Sequence, residues 1–324
     1  MMLSAAQWMH IPDGFLSTLV ALVLWALMLV PLGIALNKVG RRADERQVPL
    51  MGVLAAAIFA GQMLNFTVAG GTSGHLMGAA LATILLGPWA AMLVMTTVVG
   101  VQALIFQDGG FLALGANILN MAVIGVMVAH FVYRTLQGLA RGKPWGMLVG
   151  GFLAAWVSIV VTALAAGLEL AVSGTSPANL AIPAMGGIHM LIGIGEGLIT
   201  VGALTFLKAA RRDLLQPQSA ASTGSKGIWV GGLVLALALA VLSPLASAHP
   251  DGLEWVAEQN GFLDAATAPV YALIPDYLFP GITNEALATI VAGLAGVLIV
   301  LGVVLAAGRL KRKKGSDRDA RPLP

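Results

Sequence analysis

The hydrophobic pattern of the chain consists of long apolar runs separated by short polar segments. Runs of about 20 apolar residues can cross a bilayer as helices. The pattern predicts nine helices, near residues 16–37, 48–68, 75–87, 88–107, 111–133, 146–170, 184–207, 228–246 and 286–308. The segment 75–87 is short for a span, and Gly87-Pro88 is expected to separate it from the next helix. The predicted fold is an all-α integral membrane protein, a seven-helix bundle followed by a C-terminal two-helix unit with an external loop.

Basic residues are confined to the segments between these runs. All 18 Lys and Arg residues fall in four clusters, at residues 38–46, 134–143, 208–226 and 309–321. Because loops rich in Lys and Arg remain in the cytoplasm, the pattern places all four clusters there. A multi-pass protein of the cell (inner) membrane is expected, with its N-terminus outside and its C-terminus in the cytoplasm.

A polar segment divides the chain into two membrane units. Residues 211–227 include a Pro/Gln/Ser/Gly stretch without apolar periodicity, which is typical of a linker. The predicted organisation is an extension, a bundle, a linker, a two-helix unit and a basic tail, at residues 1–8, 9–210, 211–227, 228–308 and 309–324.

The composition excludes several classes of function. The chain is 58% apolar and 10% charged, whereas soluble domains are about 25% charged. It has no cysteine, which excludes disulfides, thiolate metal sites and cysteine nucleophiles. No Walker A sequence, HExxH motif or Ser-His-Asp arrangement is evident. We therefore expect a non-enzyme, and any uphill transport would draw energy from a partner or an ion gradient.

The segment Met9-His10-Ile11-Pro12-Asp13-Gly14 carries the most specific chemistry. If Met9 is the first residue, its amine, the His10 backbone nitrogen and the His10 imidazole can chelate one metal ion. A fourth nitrogen from another histidine would complete a planar set that suits Ni(II), Cu(II) or low-spin Co(II).

Residues 1–8 would remove that free amine. They have neither the basic nor the apolar region of a signal peptide. We expect translation to begin at Met9; the alternative is a real extension, with the amine ligand lost or regained by trimming. If the extension persists, metal binding should be markedly weaker.

His75 follows the glycine-rich stretch Gly70-Gly71-Thr72-Ser73-Gly74 and opens a predicted helix. Such a turn allows the backbone to approach a ligand closely. Taken alone, His75 is more simply an interfacial residue that caps a helix. Because His10 is predicted on the same side of the membrane, a shared metal site is favoured.

Further polar residues are candidates for supporting the metal ligands or passing the cation inward. His189 and Glu196 lie seven residues apart, on one helix face. Glu196 either helps transfer or is a buried carboxylate bonded to neighbouring helices, and Asp13 belongs to the first motif. The motif His249-Pro250-Asp251-Gly252-Leu253-Glu254 either binds metal loosely or caps a helix, with the cap favoured. Hydrogen bonds within the bundle are expected of Asn65, Asn117, Asn120, Gln62, Gln102 and Asp108.

Several motifs resemble one known family. MHIPDGFLS, GGTSGHLMGAALATILLGPWAAMLVM, GANILNMAVIG and HMLIGIGEGLIT look like the CbiM/NikM substrate-binding component of energy-coupling factor transporters. SPLASAHPDGLEWVAE resembles the PDGLE/CbiN-like small component, here fused at the C-terminus. The resemblance covers residues 9–210 and 228–308, nearly the whole chain.

This resemblance implies a fold, a ligand set and partners. The family's seven-helix bundle inserts its extreme N-terminus from outside to build the metal site, which implies Met9, His10 and His75 as ligands. The implied partners are a CbiQ/NikQ-like transmembrane coupling subunit and CbiO/NikO-like ATPase subunits. The PDGLE part would sit on the bundle from outside and help loading, and the IPDG sequence is closer to nickel members than to cobalt members.

The function expected is therefore capture of Ni²⁺ or Co²⁺ for an ATP-driven importer, with the ion as cargo and no catalytic cofactor. Membrane lipid is an expected partner and nucleic acid is not. Two alternatives remain open at this point. One is an ATPase-independent channel or proton-coupled carrier that uses Glu196 and His189, and the other is a non-transporting membrane scaffold.

Overall fold

The computed structural model describes residues 8–42, 47–210 and 225–319. Most of these residues are helical. The helices are α1 Thr18–Arg42, α2 Gln47–Gln62, α3 Ala79–Leu86, α4 Pro88–Val101, α5 Leu114–Ile118, α6 Gly125–Ala140, α7 Trp145–Val172, α8 Ala178–Ala210, α9 Ser225–Leu242, α10 Gly252–Gln259 and α11 Glu285–Asp319. A π-helical turn extends α4 through Gln102–Phe106, and another, Leu119–Ile124, joins α5 to α6.

Six of the described helices are long and apolar enough to cross a membrane: Thr18–Arg41, Pro88–Phe106, Leu114–Ala140, Trp145–Val172, Ala178–Ala210 and Glu285–Arg309. Helix α2 and the helical segment Trp229–Leu245 are apolar but shorter. The protein is therefore a multi-pass, mainly helical membrane protein. The expected number of seven plus two spans is not confirmed by helix length.

One region departs from the all-α expectation. The helix predicted through residue 68 ends at Gln62, and a two-stranded antiparallel hairpin follows, with β1 Phe66–Val68 paired to β2 Thr72–Gly74. Gly70 and Gly71 form its turn with φ of 83° and 80°, which glycine adopts without the Cβ clash of other residues. As a result His75 lies beside a strand end and outside α3, and the start of α3 at residue 79 differs from the predicted 75.

The C-terminal unit packs directly on the bundle. Helices α9 and α11 lie against α2, and glycines permit the close approach. A Cβ at Gly232 would stand 2.1 Å from Val53, and one at Gly296 would stand 2.2 Å from Phe59. Small residues at helix contacts serve this purpose in membrane proteins.

The loop between α9 and α11 reaches the same end of the bundle as the N-terminal segment. The Ser247 N–H donates to Asn65 O at 2.8 Å, and the Thr267 N–H donates to Asp13 O at 2.8 Å. We call this region, where residues 9–16, the β1–β2 hairpin and the loop 247–284 meet, the site end.

Candidate metal centre

The N-terminal segment is inserted into the bundle. His10 is only 3% exposed, and Met9, Ile11 and Phe15 are buried around it. Asn117 on α5 binds both main-chain polar groups of Ile11, since its Oδ1 accepts from the Ile11 N–H and its Nδ2 donates to Ile11 O, both at 3.0 Å. The position of His10 is thus set by a helix residue about a hundred positions later in the chain.

Asp13 anchors the same segment at its far end. Its carboxylate accepts hydrogen bonds from the Phe111 and Ala113 N–H groups, each at 3.0 Å. These amides lie at the start of α5, where main-chain N–H groups lack partners within the helix and favour a negative charge. Asp13 therefore positions the segment through α5, and it does not line the cavity described below.

Asp108 is the carboxylate nearest to His10. Its Oδ1 lies 3.1 Å from His10 Nδ1 and accepts a hydrogen bond from the Met9 N–H at 3.0 Å. The adjoining residue Gly109 has φ of 94°, and a Cβ there would stand 2.9 Å from the His10 Cβ. A glycine is therefore required for the chain to bring Asp108 this close.

The two charges shift each other's ionisation. Burial alone would raise the pKa of Asp108, but the His10 ring and the Tyr277 hydroxyl lower that pKa below its ordinary value. Burial alone would lower the pKa of His10, but the Asp108 carboxylate outweighs it and raises that pKa. At neutral pH Asp108 is therefore a carboxylate, and its negative charge favours a cation beside it.

Tyr277 of the C-terminal unit completes the environment of Asp108. Its hydroxyl donates to Asp108 Oδ2 at 2.7 Å, and its ring stacks on Phe106 with centroids 4.8 Å apart. Tyr277 has φ of 56°, as has Gln107, the residue preceding Asp108. Left-handed backbone at residues other than glycine is uncommon and clusters at functional sites, so both sides of this contact are held in strained conformations.

His75 stands opposite His10. The ring centroids are 5.6 Å apart at an angle of 61°. His75 Nδ1 lies 3.1 Å from the carbonyl oxygen of Leu76. A carbonyl oxygen can only accept, so Nδ1 carries a hydrogen, which leaves Nε2 as the ring nitrogen that can bind a metal ion.

Glu196 holds the turn that follows His75. Its two carboxylate oxygens accept from the Met77 N–H at 2.7 Å and the Gly78 N–H at 2.9 Å, and the residue is fully buried. These donors lie at the start of α3, where a carboxylate is favourable. Of the two interpretations weighed for Glu196, the geometry favours the buried carboxylate that bonds to a neighbouring element.

His189 also reaches the site. Its Nδ1 lies 2.8 Å from Met185 O, so Nε2 is again the ring nitrogen that can bind a metal ion. A Cβ on Gly252 would stand 3.1 Å from His189 Cε1, so the C-terminal unit closes directly over this ring. His189 and Glu196 therefore act at different places despite their shared helix face.

Asp251 brings a second carboxylate to the histidines. Its Oδ2 lies 3.8 Å from His75 Nε2, and the residue is 4% exposed. Burial raises the pKa of Asp251, and the nearby His75, His189 and His10 rings oppose that rise. The expected helix cap is present as well, because Asp251 Oδ1 accepts from the Leu253 N–H at 3.2 Å.

One cavity joins these groups. Its lining comes from both units, and among its residues are Met9, His10, His75, Asn117, Asn120, His189 and Asp251. Among the described residues, no three His, Asp or Glu side chains are grouped closely enough to hold a metal ion by side chains alone.

The sequence-derived candidates thus divide in two. Met9, His10, His75 and His189 meet at the cavity, whereas Asp13 and Glu196 hold the segments that carry them. Sequence reasoning missed the roles of Asp108 and Tyr277 beside His10. The partial signals were an Asp followed by two glycines after an apolar run, and a Tyr in an acidic loop, neither of which is specific.

Comparisons with known proteins agree with this architecture. The family described as the cobalt uptake substrate-specific transmembrane region, CbiM, matches residues 10–214, and the PDGLE domain matches residues 226–313. A putative fused nickel transport protein NikMN of Archaeoglobus fulgidus is 38% identical, over 94% of this chain and 99% of that protein. The fused nickel transport protein NikMN of Rhodobacter capsulatus is 33% identical, over 95% of this chain and 100% of its own length.

A solved structure gives the same result for the bundle. A truncated transition metal transporter is 36% identical, with a TM-score of 0.56, and the match covers 62% of this chain and 98% of that structure. The chain therefore belongs to the CbiM family of cobalt uptake substrate-specific transmembrane regions, and it carries a PDGLE domain at its C-terminal end.

Proposed function

We propose that this protein is the metal-binding membrane component of an ATP-driven energy-coupling factor importer for nickel or cobalt ions. It captures the ion at the extracytoplasmic face through Met9, His10 and His75. Its relatives named as nickel and cobalt transport proteins support the cargo, and the geometry of the N-terminal segment supports the ligands.

The observation that carries the proposal is the convergence of the Met9 nitrogen and His10 Nδ1 on Asp108 Oδ1, at 3.0 and 3.1 Å. Two of the proposed nitrogen ligands are therefore held beside one carboxylate oxygen, whose negative charge favours a cation bound next to it.

The chelate also needs the correct ring nitrogen. The His10 backbone nitrogen and Nδ1 close a six-membered ring with a metal ion, and Nδ1 is the nitrogen that faces Asp108. His75 can add Nε2 from the opposite side, because its Nδ1 is engaged by Leu76 O. Four nitrogens, with the Met9 amine and the His10 backbone among them, form the planar set that Ni(II) accepts.

The electrostatics suit a buried dication. The His10 backbone nitrogen would lose its proton on binding and so carry one negative charge, and a buried divalent ion needs further negative charge nearby. Asp108, with its pKa held low, supplies one such charge at the chelate. Protons and the metal compete for the same nitrogens, so capture should weaken as pH falls.

The topology follows from the basic clusters. Lys and Arg residues near 38–46, 134–143, 208–226 and 309–321 lie on the cytoplasmic side under the positive-inside rule. The site end then faces outward. A CbiQ/NikQ-like coupling subunit and CbiO/NikO-like ATPase subunits would drive release into the cytoplasm.

The ligand assignment is tested with His10→Ala and His75→Ala, with His130→Ala as the control. His130 is on α6 and does not line the cavity. Ni(II) and Co(II) binding to purified protein and uptake by cells that carry the partner subunits are measured. We expect loss of tight binding and uptake only in the first two variants. Normal binding by either would refute the site, and uptake that persists without ATPase subunits would refute the importer.

A further inference from the structure

We propose that Asp251, from the C-terminal unit, supplies an oxygen ligand to the bound cation and thereby latches that unit onto the loaded bundle. This inference rests on the proposed function, because it concerns the same cation. It takes up the metal-binding alternative that the sequence left open for the motif containing Asp251, and it assigns that residue an oxygen ligand to the same ion as the nitrogens.

The Asp251 carboxylate lies within reach of a metal ion bound by His75. Asp251 Oδ2 and His75 Nε2 are 3.8 Å apart, and two donors with bonds of about 2.1 Å to one metal ion can be at most about 4.2 Å apart. One cation can therefore contact both atoms without any movement of the backbone. The hydrogen bond from the Leu253 N–H to Oδ1 orients the carboxylate so that Oδ2 faces the histidine.

Several metal-binding side chains share the cavity. His10, whose Nδ1 is the nitrogen proposed for the chelate, lines the cavity together with His75 and Asp251. His189 Nε2, beside Gly252, is also a ring nitrogen that can bind a metal ion. Asp251 thus shares the cavity with these histidine rings, whereas Asp108 does not line it.

Hydrogen bonds from the β1–β2 hairpin fix the position of Asp251. The Ser73 N–H donates to Pro250 O at 2.8 Å, and the Ser73 hydroxyl donates to His249 O at 2.8 Å. Ser73 also forms an isolated parallel bridge with Asp251. The hairpin that precedes His75 therefore fixes the position of Asp251, so the two donors form one rigid pair across the two units.

Asp251 also brings negative charge to the site. Its carboxylate lies on the His75 side of the cavity, where it attracts the buried dication. When the cation leaves, the attraction between the units is reduced, and the C-terminal unit should separate more readily from the hairpin.

A purely structural role for Asp251 predicts a different outcome in mutants. Asparagine and serine cap helices about as well as aspartate, so Asp251→Asn and Asp251→Ser should behave as the parent protein if only the cap matters. If Asp251 binds the cation, both variants lose the anionic ligand while keeping the cap. Glu258→Gln is the matched control, because Glu258 lies on the same helix α10 and is exposed.

The experiment loads Ni(II) into the 324-residue protein and into a form that begins at Met9, and then measures release to a chelator in excess. In whichever form binds, we expect Asp251→Asn and Asp251→Ser to release the ion at least about tenfold faster, the order of loss seen for perturbed metal sites. Glu258→Gln should match the parent. Equal release rates for parent and Asp251→Asn would overturn the inference.

X-ray absorption of the loaded parent protein tests the same claim without a variant. We expect one carboxylate oxygen in addition to the nitrogen ligands, with that oxygen missing in Asp251→Asn. A planar, diamagnetic, all-nitrogen Ni(II) centre in the parent would overturn the role of Asp251 and leave the proposed capture intact. Absence of metal binding by both parent forms would overturn the proposed function itself.

Discussion

Replacing Asp108 with asparagine isolates the charge at the Met9-His10 side of the site. In the protein, one carboxylate oxygen meets the Met9 nitrogen and His10 Nδ1, and the other accepts from the Tyr277 hydroxyl at 2.7 Å. Asparagine has the same shape and keeps one oxygen acceptor for the Met9 N–H. The substitution therefore removes the charge while leaving the packing nearly unchanged.

The expected magnitude follows from the partners that lose this charge. Groups that orient metal ligands affect affinity by about 10- to 100-fold, which is about 1.4 to 2.7 kcal/mol. The loss of metal binding in acid should, in contrast, shift to lower pH. Asp108 raises the pKa of His10 against the effect of burial, so without it that pKa falls and protons compete with the metal only at lower pH.

The assay is a Ni(II) titration at pH values from about 5.5 to 8.5, around the ordinary His pKa near 6.5. Asp108→Asn should bind more weakly at the high end, and its acid loss of binding should begin at lower pH than in the parent. Asp264→Asn, in the exposed part of the loop, is the control. An unchanged affinity at high pH together with an unchanged acid midpoint would refute the reasoning.

Three further substitutions test how the site is supported. Glu196→Gln should lower the free energy of unfolding by about 1–3 kcal/mol, because charged hydrogen bonds from Met77 and Gly78 become neutral. The protein should still bind one metal ion. Thermal unfolding checks the stability, and a metal titration checks the stoichiometry. Gly109→Ala should weaken metal binding, since its Cβ would press on His10 at 2.9 Å; retention of parent affinity contradicts this. Burial raises the pKa of Glu254 to about 7, so the folded protein favours the protonated carboxyl. The contribution of this group to stability is therefore complete below its ordinary pKa and is lost as pH rises through about 7. Glu254→Gln should therefore raise the unfolding temperature at pH 8 and change it little at pH 5.

The apolar runs predicted most of the helical segments because a spanning helix is specified by local composition. The break at Gly87-Pro88 was also predictable, since Gly87 has φ of 77° and Pro88 opens α4. The β1–β2 hairpin was not, because the apolar run through Phe66 and Val68 fits a helix as well as a strand. Pairing with residues 72–74 and with the C-terminal unit decides between them.

The site was predictable only where a motif is contiguous. Met9-His10 and the stretch ending at His75 carry their own signal, but the groups that support them come from distant positions. Asp108 lies 99 residues from Met9, and Tyr277 lies 169 residues from Asp108. One sequence contains no information on such pairs, so Asp108 could only be placed among residues that bond within the bundle.

The central claim is that the Met9 amine and His10 chelate the cargo with His75. The most direct measurement is a parallel titration of Ni(II) and Co(II) into purified protein that begins at Met9 and into the 324-residue form. The account predicts tight one-to-one binding by the form with a free Met9 amine, and markedly weaker binding when residues 1–8 remain. Equal affinity of the two forms would contradict the amine ligand, and absence of binding by both would contradict the metal site as a whole.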